Sequence, residues 1–171
     1  MSLPLPLPWL IRPMQAEDVA AMLLVQGQCY PLGMNESGEV FRARFQACPD
    51  TAWVALDAQG QVGAYLVAYR SCLGKVAPLG QAFAHLPAAN ALYLHDLAIG
   101  AALRGQGLAA VLVQLARAQA AAMGLHALAL VSVNDTVGFW QGMGFEVAPV
   151  EGDSAQALQT YVQPARHMFS R

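Results

Sequence analysis

Charge is scarce in this chain. Only 12% of its 171 residues are Asp, Glu, Lys or Arg, about half the share of a typical soluble domain. Nine basic side chains stand against eleven acidic ones, for a formal charge of −2. That balance offers no basic field to hold a nucleic-acid backbone or an anionic membrane, so neither is an expected partner. Apolar residues reach 56%, which excludes a disordered chain, because disorder needs low hydrophobicity and high net charge. Yet no apolar run approaches the roughly 18 unbroken residues of a membrane span. The nearest, Leu92 to Ile99, contains His95 and Asp96.

Cysteine is scarce as well. Cys29, Cys48 and Cys72 are odd in number, widely spaced and in no CxxC pair. Neither a disulfide framework nor a zinc site is expected, and the expected compartment is a reducing cytoplasm. His85, His95, His126 and His167 lie too far apart for local metal ligation, so no metal is expected. The stretch Met1 to Trp9 is hydrophobic but lacks a basic region and a small-residue cleavage site. Its alternating prolines also forbid the helix of a signal peptide. Residues 1–8 are read as an extended arm and residues 9–171 as one domain. A chain of 18.1 kDa is long enough to bury a single core.

What is present is an alternation of strand and helix signals. Trp9 to Arg12 reads as a strand stopped by Pro13. Glu17 and Asp18 suit a helix N-terminus, and Val19, Met22 and Leu23 continue that helix to Cys29. Tyr30-Pro31-Leu32-Gly33 breaks it. A second helix is expected from near Ser37, turning Val40, Phe41 and Phe45 inward before Pro49. Thr51–Leu56 and Val62–Tyr69 form an antiparallel hairpin across the turn Asp57 to Gln61. Ser71 to Asn90 reads as a long loop, of the kind that lines a site or moves. Ala91–Ile99 is a strand, and Gly105 to Met123 a long helix closed by Gly124. Leu125–Val133 is nearly all apolar, as befits a central strand buried on both faces. Thr136–Gly142 reads as a short helix, with Phe145–Pro149 and Leu158–Met168 as strands. The order predicts a mixed α/β (α+β) sheet.

The informative segment is Leu94-His95-Asp96-Leu97-Ala98-Ile99, four residues, then Arg104-Gly105-Gln106-Gly107-Leu108-Ala109. A strand runs into a glycine turn that opens a helix. This points free backbone N–H groups and the positive helix end at one spot, which suits phosphate. Gly105 and Gly107 leave room for an anion, and Arg104 adds charge. A plain connection that binds nothing has the same outline. Gly105-x-Gly107-x-x-Ala110 also fits a loose dinucleotide fingerprint, but fails it three times. It starts too far from the strand, lies past the midpoint of the chain, and is followed by a strand without a carboxylate.

Arg104-x-x-Gly107-x-Ala109 resembles the pyrophosphate loop of the GNAT superfamily of acetyl-CoA-dependent N-acetyltransferases. Leu97 to Ile99 precedes it at the family's spacing. Phe139-Trp140-Gln141-Gly142-Met143-Gly144-Phe145 resembles a second family motif, and Ile11-Arg12-Pro13 with Glu17-Asp18 resembles its opening. The match runs from Trp9 to Val147.

The resemblance implies a GNAT fold: about six to seven strands, flanking helices, and two central parallel strands, Leu92–Ile99 and Leu125–Val133, that splay apart. Acetyl-CoA would lie in that V. The Leu97-Ala98-Ile99 backbone would hold pantetheine, and the Leu97 N–H would polarise the thioester carbonyl, a contribution of about 3 kcal/mol. Gly105, Gln106, Gly107, Leu108 and Ala109 would cradle the pyrophosphate beside Arg104. Asn134, one residue nearer than the family's asparagine, would reach the cofactor from the next strand, with Ser132 as competitor. Phe139 and Trp140 would pack on pantetheine. Trp140 occupies the place where many members carry a tyrosine acid, and indole cannot supply that proton.

Acetyl transfer needs a neutral amine, and His95 is the expected base because imidazole titrates near pH 6.5. Strand alternation would put Tyr93, His95 and Leu97 on one face and Asp96 on the other. Asp96 is the reserve base should a bulge reverse that parity. Tyr93 and His95 occupy positions that are histidines in arylalkylamine N-acetyltransferases, and Phe45 to Asp50 resembles a segment of that branch. Tyr30 and Glu36 are candidate substrate contacts, with Glu36 either pairing an ammonium group or simply facing solvent. The expected function is transfer of acetyl from acetyl-CoA to a small-molecule primary amine. The competing readings are a non-catalytic acyl-CoA sensor, a protein substrate and, more distantly, a nicotinamide oxidoreductase. Many members of the superfamily dimerise, so a homodimer is an open expectation.

Overall fold

The computed structural model describes residues 8–81, 86 and 88–171. The arm at residues 1–7 and His85 therefore lie outside the described residues. Seven strands form one sheet: β1 Trp9–Pro13, β2 Ala52–Asp57, β3 Val62–Ser71, β4 Ala91–Ile99, β5 Ala127–Ser132, β6 Glu146–Val147 and β7 Arg166–Ser170. Their spatial order is β1-β2-β3-β4-β5-β7-β6. Every neighbouring pair is antiparallel except β4 and β5, which run parallel.

Among the described residues five α-helices cover the two faces: α1 Val19–Cys29, α2 Gly38–Ala47, α3 Leu108–Ala122, α4 Val137–Gly142 and α5 Gly152–Leu158. The strands sort their side chains by alternation. Trp53 and Ala55 pack towards α3, whereas Val54 packs towards α1 and α2. Helix α3 buries Leu108, Leu112, Val113, Ala116 and Ala120, a stripe at helical spacing. They meet Leu66, Leu92, Leu128 and Leu130 in the larger core. Val19, Met22 and Val25 of α1 join Phe41 of α2 against Tyr65 and Val67 on the opposite face.

Helix α3 starts three residues later than the sequence predicts. Gly107 precedes it in the left-handed region, at φ 74°, so the turn is not yet helical there. Its C-terminus matches expectation. Gly124 has φ 70°, and Gly124 and Leu125 donate to Ala121 and Ala120, 3.0 and 2.9 Å away, the double closure of a glycine C-cap.

The C-terminal prediction of a last strand holds only for its final three residues. Leu158–Met168 is not a strand throughout: its first residue ends α5, and β7 begins only at Arg166. Pro164 has no N–H for a ladder, and Tyr161 turns inward to pack with Val76, Ala157 and Ala165. The expected strand Phe145–Pro149 shrinks to Glu146–Val147. Among the described residues no helix is long and apolar enough to cross a membrane, no group of side chains could hold a metal, and the three cysteines are free thiols.

Candidate active site

Two central strands pair and then part. The β4–β5 ladder runs from Ala91 and Ala127 to Leu94 and Leu130 and stops there. Strand β4 continues to Ile99 and β5 to Ser132 without each other. The gap is a cavity of about 410 Å³, walled by β4 from Leu94 to Ile99, by Leu130, Val131, Val133 and Asn134, and by Phe139 and Trp140. Arg104 and Ala109 stand at one end; Tyr30, Met34, Glu36, Leu79 and Tyr161 complete it.

The free edge of β4 carries unpaired backbone groups. Gly100 N–H donates to Gly63 on β3 at 2.8 Å, so the alternation of a strand turns the N–H groups of Leu97 and Ile99 the other way, into the gap. The carbonyl oxygens of these residues are engaged there. Leu97 O lies 2.9 Å from the Tyr30 hydroxyl, and Ile99 O accepts from Cys29 Sγ and from Arg104 Nε.

Beside this edge, the turn into α3 fits an anion. Gly105 and Gly107 both have φ 74°, and no atom comes within 4 Å of where their Cβ atoms would stand. The first N–H groups of α3 have no intrahelical acceptor. Gln106 stiffens the turn by donating to Ala102 O. Leu108 offers only its backbone, since its side chain belongs to the core. The three residues Gly105, Gln106 and Gly107 lie on the exposed turn, outside the cavity walls.

A bulge corrects the predicted parity of β4. Val67 pairs with Asp96 but Ala68 pairs with Leu94, so His95 is an extra residue on β4. Leu92 and Leu94 face α3, as do Leu97 and Ile99, whereas Asp96 and Ala98 face the α1 side. His95 therefore shares a face with Asp96, not with Leu97, because an inserted residue reverses alternation. Tyr93 lies beneath, ring to ring with His95 and Tyr69. It is 1% exposed and is not among the residues that line the cavity.

Glu36 is neither solvent-facing nor available to an ammonium group. It is buried, and its carboxylate takes both terminal nitrogens of Arg44, the Gly80 N–H at 2.7 Å and His95 Nε2 at 2.8 Å. Burial alone would raise its carboxyl, but hydrogen bonds from His95 and Arg44, with their charges, bring it down to about 2. Gln26 clamps the Glu36 backbone on both sides, and Arg44 also donates to Gln81 O. The loop after β3 is thus fastened to the site. Val76 and Leu79 donate to Ser154 and Thr160, and Tyr161 donates to Ala77 O.

Asp96 is buried between two phenols, with Tyr30 and Tyr65 hydroxyls at 2.8 and 2.7 Å. Burial pushes its carboxyl up, and burial beside Asp96 pushes both phenols well above their ordinary range. Asn134 reaches the cavity from a left-handed backbone, φ 54°. Ser132 does not, because its hydroxyl is bonded to Thr136 at 3.0 Å. Trp140 packs edge-on between Phe139 and Phe145, one side in the core and one on the cavity. Arg44, Tyr65 and Tyr161 escape the sequence reading. A signal existed for Arg44, a guanidinium on the apolar stripe of Phe41 and Phe45, where only a paired charge can be buried.

Comparison with known proteins supports this fold. The sequence profile of the acetyltransferase (GNAT) family matches residues 22–145. No curated protein sequence matches the chain. Among solved structures, the GNAT-like decarboxylase GphF in complex with isobutyryl-CoA superimposes with a TM-score of 0.77 at 18% identity, over 94% of this chain and 98% of that one. The PaiA N-acetyltransferase of Thermoplasma acidophilum with coenzyme A gives 0.65 at 15% identity, over 95% and 98%. Naa50 of Arabidopsis thaliana with a bisubstrate analogue gives 0.68 at 10%, over 96% and 99%. At these identities the likeness is one of fold. The family profile, in contrast, spans most of the chain: the protein belongs to the acetyltransferase (GNAT) family, whose members bind acyl-CoA or CoA.

Proposed function

We propose that the protein transfers an acetyl group from acetyl-CoA to a primary amine of a small molecule by direct attack. The observation that carries this reading is the gap beyond Leu94 and Leu130, with bare amides at one end and His95 in its wall. Acetyl-CoA would supply the acyl group as an activated thioester. Leu97 and Ile99 would hold its pantetheine arm through the backbone, residues 105–109 its pyrophosphate, and Asn134, Phe139 and Trp140 its opposite flank. The inward N–H of Leu97 is a preorganised donor for a carbonyl oxygen that gains charge.

His95 takes the proton of the amine. An alkylammonium group titrates near 10, roughly where lysine does, so a base must remove its proton at neutral pH. With Nε2 donating to the ionised Glu36, the ring is held in the tautomer whose basic nitrogen is Nδ1. Glu36 is a positioning residue in this scheme, and Arg44 holds Glu36. The cavity walls around them, Met34, Leu79, Val131 and Tyr161, support an apolar or aromatic amine. The arylalkylamine resemblance rests on the sequence positions of Tyr93 and His95 and on Phe45 to Asp50, and the comparisons reach no further than the GNAT family.

Trp140 favours a second reading, an acyl-CoA-binding module without turnover, because it leaves the usual acid position empty of a titrating group. Thiol release from acetyl-CoA across a panel of primary amines separates the two. Amine-dependent release that disappears in His95→Ala supports the transferase. Tight CoA binding with no release from any amine overturns it and supports the sensor. Since one structural neighbour is a decarboxylase, carbon dioxide release from a carboxylated acyl-CoA belongs in the same assay.

A further inference from the structure

Three oxygen–oxygen contacts meet around Asp96. Tyr30 Oη lies 2.8 Å from Asp96 Oδ1 and 2.9 Å from Leu97 O, and Tyr65 Oη lies 2.7 Å from Asp96 Oδ2. Each is the length of a full O–H···O hydrogen bond and so calls for its own proton. The two phenols bring two protons. An ionised carboxylate and a backbone carbonyl bring none, so Tyr30 would have to split one proton between two acceptors, each at full hydrogen-bond length. A proton on Asp96 Oδ1 closes the count. Oδ1–H donates to Tyr30 Oη, Tyr30 donates to Leu97 O, and Tyr65 donates to Oδ2.

We infer that Asp96 is a neutral carboxylic acid at neutral pH and forms, with Tyr30, a proton-donating pair that opens on the cavity. The groups facing it are Tyr30 at the end of α1, Tyr65 on β3, His95 beside it on β4, and Glu36 ahead of α2. Burial and the Glu36 charge favour the neutral form, while His95 and the two phenols oppose it. Arg44 is already paired with Glu36, so its guanidinium is not available to balance a carboxylate at Asp96. Asp96 is thereby excluded as the reserve base, because a base must begin without its proton.

The protonation state stands on the proton count alone; its role rests on the transferase reading. Acyl transfer leaves a thiolate that gains a proton, and Trp140 has none to give. Tyr30 Oη passes its proton into the cavity beside Leu97, where the leaving sulfur takes it and an S–H bond forms. Asp96 Oδ1–H refills Tyr30, and Asp96 ends as a carboxylate. The ammonium group loses two protons on becoming an amide: one passes through His95 to restore Asp96 and the other leaves to solvent, so the cycle balances.

The state is read first, in the protein without substrate, by infrared spectra with the aspartate carboxyl carbon labelled. A protonated carboxyl band is expected at neutral pH, missing in Asp96→Asn and shifted in Tyr30→Phe, which removes the acceptor of that proton. Only carboxylate bands at neutral pH overturn the inference, whatever the protein catalyses. The role is read with two donors, acetyl-CoA and an acetyl thioester of an acidic aryl thiol that leaves without help. Tyr30→Phe is expected to lose about 100-fold in turnover with acetyl-CoA and little with the aryl thioester. Equal losses overturn the acid role. No turnover by the unaltered protein with any donor defeats the transferase reading but leaves the infrared result standing.

Discussion

Nε2 of His95 stands 2.8 Å from Oε1 of Glu36, and the same carboxylate carries the guanidinium of Arg44, whose NH2 is 2.6 Å from Oε2. The side chains of Glu36 and Arg44 are 3% and 1% exposed. Two charges this deeply buried tolerate each other but not solitude. Removing one partner strands the other, at a cost of about 3–5 kcal/mol, whereas replacing both with apolar groups is nearly neutral. Glu36→Leu and Arg44→Met should each lower the urea midpoint strongly. The double variant Glu36→Leu with Arg44→Met should lose less than the two single losses combined. Additive losses would show that the pair is not coupled.

Acid should expose the same carboxylate. Its folded value is about 2 against an ordinary 4.5, a depression worth about 3 kcal/mol. For a lowered carboxyl the stabilisation is complete above the ordinary value and drains away as pH falls through the folded one. Stability measured by urea titration should therefore fall between about pH 4.5 and pH 2. Glu36→Gln should flatten that part of the profile. A profile unchanged by the substitution would place the acid sensitivity elsewhere.

The sheet was legible because its signals are local. The bounds of β4, the breaks at Pro13 and Gly124, and the apolar run of β5 each follow from residues in a short window. The bulge at His95 was not, since register depends on which β3 residue sits opposite, and that is a property of two strands. For the same reason the parity argument put Leu97 on the wrong face. Glu36 looked like a loop acid because its partners come from far along the chain, Arg44 in α2, Gly80 after β3 and His95 in β4. At the C-terminus the warning was present but unread. Pro164 lay inside the expected strand, and α5 is too short to show a clear helical period.

His95 can be separated from the binding machinery. The residue lines the cavity, but the groups assigned to the coenzyme are backbone amides of β4 and the α3 turn. His95→Gln keeps an amide donor near Glu36 and removes the base. Turnover with a responsive amine should fall by about 100-fold or more, while CoA affinity measured by calorimetry stays within twofold, a factor of about 2 being under 0.5 kcal/mol. A matched loss of affinity and turnover would recast His95 as part of the coenzyme site.

Two glycines with the same backbone make the sharpest test of the anion turn. Gly107 has φ 74° and Gly124 has φ 70°, and at neither does a Cβ meet an atom within 4 Å. Alanine at either position costs only the left-handed conformation, about 1–2 kcal/mol. The two should therefore lose similar stability. They differ in what faces them: Gly107 opens α3 beside the parted strands, whereas Gly124 closes the far end of the same helix. If the open space at Gly107 is where a pyrophosphate lies, Gly107→Ala must also weaken CoA, and a tenfold loss or more is expected, about 1.4 kcal/mol. Gly124→Ala should bind CoA as the unaltered protein does. Equal affinities in both variants would mean that the space in front of Gly107 is ordinary solvent, and that the coenzyme, if bound, enters elsewhere.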